Sequence, residues 1–266
     1  MEEKIMKIYW KIFIAILFVS ALSVSAQDNA QIEKELTAAL KQIQAHSIYG
    51  GDYSEEKLTA AQKDFEQKLV RFTKVSSTLG YTFNELDDQM SIVTSDDQKL
   101  RVYSWDLEDG GTMHRFARLY QFRSADGRVL SKIEEIPAEG MGRGFVTDIF
   151  SLDTTRGTVY IVCSTFIGST KDYFQSADLY QIAGSTLNEK VNLIRTRSGL
   201  TNSLSFAYDN FSVIDRPDRP DRLIFFDKKT KTLSIPVVIK DKEFPDGRVT
   251  DKFIRYRFNG RYFVRL

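Results

Sequence analysis

From about Met90 to the C-terminus the chain is a series of short runs rich in Val, Ile, Tyr and Phe. Asp-Gly, Asn-Gly, Gly-Gly or Pro-Asp turns interrupt it every ten residues or so. Runs of this composition and spacing read as strands joined by tight connections. Leu100-Arg101-Val102-Tyr103-Ser104-Trp105 and Arg118-Leu119-Tyr120-Gln121-Phe122 are two of them. The final pair, Phe253 to Phe258 and Arg261 to Val264, flanks Asn259-Gly260, which suits a type I′ hairpin turn. Apolar and charged residues alternate along these runs, so one face of the strands is expected to be solvated.

The β region also repeats. Met90-Ser91-Ile92-Val93, then Leu100 to Tyr103, then Leu119 to Phe122, is echoed by Ile149 to Asp153, Thr158 to Ile161 and Leu179 to Ile182. A weaker copy runs from Phe211-Ser212-Val213-Ile214-Asp215 through Leu223 to Phe226 and on to Leu233 to Val237. The period of roughly 60 residues implies units of about four strands in a meander. The expected fold is therefore mainly β, with antiparallel meander repeats packed like the blades of a β-propeller. A layered β-sandwich or open barrel is the alternative, because three units are fewer than a propeller ring normally needs.

Two amphipathic helices precede this region. Ile32, Leu36, Leu40 and Ile43 form one apolar stripe. After Tyr49-Gly50-Gly51-Asp52, Ser54 is placed to cap a second helix striped by Leu58, Ala61, Phe65, Leu69 and Phe72, with Glu55 and Glu56 in its first turn. The pair should fold back as a hairpin on the chain's own sheet. The expected organisation is a leader over 1–26, the helical hairpin over 27–75 and the β domain over 76–266.

The leader reading rests on Lys4, Lys7 and Lys11, the apolar run from Ile12 to Val19, and Val24-Ser25-Ala26 at a signal-peptidase site. Cleavage after Ala26 sends the product to the periplasm or out of the cell. The apolar segment to Val24 is shorter than the ~20 residues that span a bilayer, so no membrane span is expected. Cys163 is the single cysteine, which excludes an internal disulfide and a lipoprotein's acylated cysteine; within Val159-Tyr160-Ile161-Val162-Cys163 it reads as a small buried hydrophobe. The leader holds three of the 37 Lys and Arg and two of the 36 Asp and Glu, so the remainder balances. No field of one sign is therefore expected that could hold nucleic acid or an anionic membrane.

Chemistry is sparsely signalled. His46 and His114 are the two histidines and neither has a neighbour at ligand spacing, so no metal or other cofactor is expected. No Ser lies in a Gly-x-Ser-x-Gly elbow. Asp87-Asp88, Asp96-Asp97 and Glu134-Glu135 read as solvated turn carboxylates rather than a glycosidase pair. Gly140-Met141-Gly142-Arg143-Gly144 leads into a strand, whereas phosphate loops open onto helices. Arg216-Pro217-Asp218-Arg219-Pro220-Asp221-Arg222 reads as a stiff linker.

The densest set of functional residue types surrounds Asp109-Gly110-Gly111: Tyr103, Trp105, Asp106, His114 and Arg115. There a Gly-Gly turn lets a ligand approach the backbone, aromatic faces stack, and Asp, His and Arg hydrogen-bond, a set suited to a glycan or peptide. Strand alternation separates Tyr103 and Trp105 from Ser104 and Asp106. The expected function is a non-enzymatic binding or interaction module, with a glycan, peptide or envelope protein as partner. A carbohydrate-active or other hydrolase with dispersed acids is the alternative. An outer-membrane barrel fits poorly, because Arg255, Arg257, Arg261 and Arg265 interrupt a lipid-facing set.

Overall fold

The computed structural model describes residues 29–134, 144–214 and 222–266. The expected leader, residues 140–143 of the glycine-rich connection and residues 216–221 of the proline segment lie outside the described residues.

The helical stripes become one core. Helix α1 (residues 29–46) buries Ile32, Leu36, Leu40 and Ile43, and α2 (Glu55–Phe72) buries Leu58, Ala61, Phe65 and Leu69. Ser54 caps α2, its side chain accepting from the Lys57 N–H at 3.4 Å. A third, short helix, α3 (Asn84–Asp87), begins on a residue that offers no side-chain cap. Its donors are met by Glu33 of α1, whose carboxylate accepts from the N–H groups of Glu85 (2.7 Å) and Leu86 (3.3 Å). The same carboxylate accepts from the Tyr81 hydroxyl at 3.0 Å. This satisfies helix-end groups that would otherwise be orphaned.

Three sheets follow. The first is a meander of β1 (Ser91–Thr94), β2 (Leu100–Asp106), β3 (Phe116–Arg123) and β4 (Val129–Ile133). The second repeats it with β5 (Phe145–Thr154), β6 (Gly157–Ile167), β7 (Asp172–Ala183) and β8 (Thr186–Asn188). The edge of β7 is shared: Gln181 to Ala183 pair with β8, and Asp172 to Asp178 pair with β11 (Ser203–Asp209). The third sheet has the order β10 (Gly199–Thr201), β9 (Ile194–Thr196), β15 (Phe263–Arg265), β14 (Arg248–Phe258), β13 (Thr232–Ile239), β12 (Phe225–Asp227). The β15–β9 pair is parallel and the remaining pairs are antiparallel.

The layers are joined through separate cores. Tyr103, Trp105, Ala117 and Leu119 pack under the helices. The opposite face of the first sheet, with Leu100, Val102, Tyr120 and Phe122, meets Val146, Tyr160, Val162 and Tyr180 of the second. Ile161, Cys163 and Leu179, on the second sheet's other face, meet Ile194, Leu233, Tyr256 and Phe263 of the third. Burial on both faces overturns the solvated face expected for β2 and β3. Their polar residues are buried with partners: Gln121 donates to the Thr73 carbonyl and the Thr78 hydroxyl, and Arg118 donates to the Gly144 carbonyl at 2.6 Å.

The fold is mainly β, and among the described residues no sheet closes into a barrel or propeller ring. The face of the first sheet that another blade would cover is taken by α1 and α2. The first two repeats match strand for strand, β1-β2-β3 with β5-β6-β7. The third begins instead in a 3-10 turn at Asn210–Ser212 with Phe211 exposed, and regains the pattern at β12 and β13. Among the described residues no helix is long and apolar enough to cross a membrane.

Candidate functional site

The connection between β2 and β3 is built by its own backbone chemistry. The Leu107 N–H donates to the Arg115 carbonyl at 2.8 Å, and the Asp106 carboxylate accepts from the Glu108 N–H at 2.8 Å, holding Glu108 in the left-handed region at φ 56°. Gly110 is required, since a Cβ there would lie 2.0 Å from the Met113 carbonyl oxygen, whereas Gly111 faces open space. The Gly111 carbonyl accepts from the Tyr49 hydroxyl at 2.8 Å, tying the loop to the α1–α2 turn.

Three of the five expected site residues meet here. His114 Nδ1 lies 2.5 Å from Asp106 Oδ2, and its ring stacks at 24° on Phe116 with centroids 6.3 Å apart. Arg115 pairs with Asp109 at 2.9 Å. Burial raises the Glu108 carboxyl, with Asp106 adding to the rise and His114 opposing it. Burial likewise raises Asp109, against the pull of Arg115. The loop thus gathers three carboxylates, Asp106, Glu108 and Asp109, around His114 and Arg115.

Tyr103 and Trp105 do not join them. Alternation turns both to the helical side, where they are buried: the Trp105 ring meets Phe65 edge-on at 5.3 Å, and the Tyr103 hydroxyl donates to Gln121 Oε1 at 3.0 Å. The stacking faces expected for a ligand are occupied by core. Trp105 Nε1 has no hydrogen-bond partner among the described residues, so shape and apolar contact hold this ring. His46 joins the end of α1 to the following turn, with Nδ1 3.1 Å from the Asp52 carbonyl oxygen.

Two carboxylates expected in solvated turns are structural. Asp97 accepts from the Tyr160 hydroxyl at 2.8 Å across the first two sheets. Glu134 is buried, accepting from the Tyr120 hydroxyl at 3.1 Å with Arg118 3.9 Å away. Cys163 is buried, and burial pushes its thiol well above the usual range. Among the described residues no group of His, Cys, Asp and Glu could hold a metal ion.

A feature with no local sequence signal lies one ring away. A cleft of about 540 Å³ opens between edge strand β1 and the second sheet, walled by Ile92, Val93, Phe145, Ile167, Tyr173 and Tyr208. Asp87, Asn210 and Arg222 supply polar groups. Arg222 pairs with Asp148 at 2.6 Å, and burial raises Asp87, whose carboxylate accepts from the Ile92 N–H at 3.1 Å. The His114 loop braces this wall without lining it: the His114 N–H donates to the Ile167 carbonyl at 3.0 Å, and Phe116 packs on Phe145 at 5.2 Å.

Fold and cleft define a mainly β protein of three stacked, antiparallel-rich sheets under a helical layer. No family model matches the chain, and neither a curated protein nor a solved structure matches it.

Proposed function

We propose that the protein is an exported, non-enzymatic binding module whose ligand occupies the cleft between β1 and the second sheet. The observation that carries this reading is the cleft's form. At about 540 Å³ it falls within the ~300–1,000 Å³ of small-molecule sites, with aromatic and aliphatic walls and few polar groups to orient a ligand. A ligand with an apolar body and one or two polar groups suits it. Export rests on the pattern of residues 1–26. In this reading the first two meanders are blade-like units of an open stack, capped by helices where a further blade would stand.

The test is a fluorescence titration of the full chain with anilinonaphthalene sulfonate, an apolar probe carrying one anionic group. Thr147, half-buried on the cleft wall, is replaced in Thr147→Trp to fill the space. Saturable binding lost in the variant at an unchanged unfolding midpoint supports the reading; equal binding overturns it. A hydrolytic reading has the Asp106–His114 pair in its favour as a possible base, but among the described residues no hydroxyl or thiol is hydrogen-bonded to His114.

A further inference from the structure

The even charge balance of the chain hides a cationic patch on the outer face of the third sheet. Residues directly opposite across paired strands share a face. Arg257 on β14 pairs with Val264 on β15, and Val264 pairs with Arg195 on β9. Arg255, two residues along β14, shares that face by strand periodicity. Ile194, Tyr256, Phe258 and Phe263 alternate with them and fill the core, so the arginines point outward, and all three are exposed. Arg195 and Arg261 both sit over the Tyr262 ring, at 4.9 Å and 5.1 Å from its centroid.

None of these four guanidinium groups has an ion pair or a side-chain hydrogen bond with a described residue. Asp227, in the same cross-strand row beyond Thr232 and two strands from Arg257, accepts from the N–H groups of Lys229 and Thr230 and keeps its negative charge, so it bounds the cationic patch on that side. The flanking strands β9 and β14 place Arg195 and Arg257 about 10 Å apart across β15, with Arg255 roughly 7 Å along from Arg257. Apolar side chains share the surface: Leu200, opposite Arg195, is 46% exposed, and Leu266, two residues past Val264, is 61% exposed.

We propose that this face docks on the anionic surface of a phospholipid bilayer. Guanidinium groups pair with phosphates through paired N–H donors, and Tyr262 suits the headgroup layer. Leu200, Val264 and Leu266 gain by entering between headgroups, whereas a nucleic acid or other soluble polyanion would engage the arginines and leave these aliphatic side chains in water. That difference selects a lipid surface.

The test is co-sedimentation of the full chain with phosphatidylcholine vesicles, with and without phosphatidylglycerol, at low and high salt. The signal is the phosphatidylglycerol-dependent part, and because Lys4, Lys7 and Lys11 also make the N-terminal segment cationic, its loss in the arginine variants, which leave that segment unchanged, is what assigns it to this face. Each arginine near the surface is worth about five-fold in partitioning, so Arg255→Gln with Arg257→Gln together should weaken that part about 25-fold. High salt should suppress it. The unfolding midpoint should be unchanged, since both side chains are exposed. Leu266→Ser, which removes the apolar side chain without adding charge, should weaken vesicle binding while leaving binding to soluble polyphosphate unaltered. Absence of a phosphatidylglycerol-dependent part, wild-type binding by the double arginine variant, or indifference of vesicle binding to Leu266→Ser would each overturn the proposal.

Discussion

Replacing Tyr103 by Phe should make the protein less stable at neutral pH and more stable than the wild type in strong alkali. Tyr103 is fully buried, and burial pushes its phenol up to about 12, opposed by Arg101. An unfolded tyrosine titrates near 10. A group whose folded value is raised contributes stability that is complete below the unfolded value and is lost as pH climbs to the folded one. The window is therefore about pH 10 to 12, and the loss is about 2.7 kcal/mol at ~1.36 kcal/mol per unit. Phenylalanine removes this dependence. It also removes the hydrogen bond to Gln121 Oε1, leaving a buried acceptor without that donor, at a cost of about 1–2 kcal/mol at pH 7. The two effects cancel near pH 11. Urea unfolding of both proteins from pH 7 to 11.5 measures the difference, since the other buried tyrosines and Cys163 are common to both. A difference that stays constant across the range would refute the reasoning.

Two further substitutions separate core from loop. Trp105→Ala should cost about 3–5 kcal/mol by emptying the space under α2, measured as a drop in the urea midpoint, with ligand binding affected through unfolding alone. Gly110→Ala should destabilise the protein measurably in a thermal melt, because the added methyl meets backbone at 2.0 Å, while Gly111→Ala, facing open space, should leave the midpoint within about 0.5 kcal/mol of wild type.

The strands, helices and first two repeats were legible because each carries its own period. The helix stripes and Ser54 are local signals, and β2, β3, β6 and β7 fall on the runs read from residue types alone. The third repeat misled because Phe211 to Asp215 has strand composition, yet Asp209 accepts from the Phe211 N–H and starts a 3-10 turn. Within the candidate site, Asp106, His114 and Arg115 were legible as neighbours along the chain. Tyr103 and Trp105 were misplaced because alternation separates two faces without saying which one a helix will cover.

The sequence by itself determined the local elements and the turn chemistry that joins them, since these depend on residues a few positions apart. Tertiary structure decided the rest. It made β2 and β3 buried on both sides by stacking helices and a second sheet against them. It capped α3 with a carboxylate from α1, some fifty residues away. It walled a cleft with residues from four separated segments, and it gathered Arg195, Arg255, Arg257 and Arg261 onto one face of a chain whose totals balance. A count of charges has no positions in it, and strand pairing between residues 195 and 264 is what gives those charges a common surface.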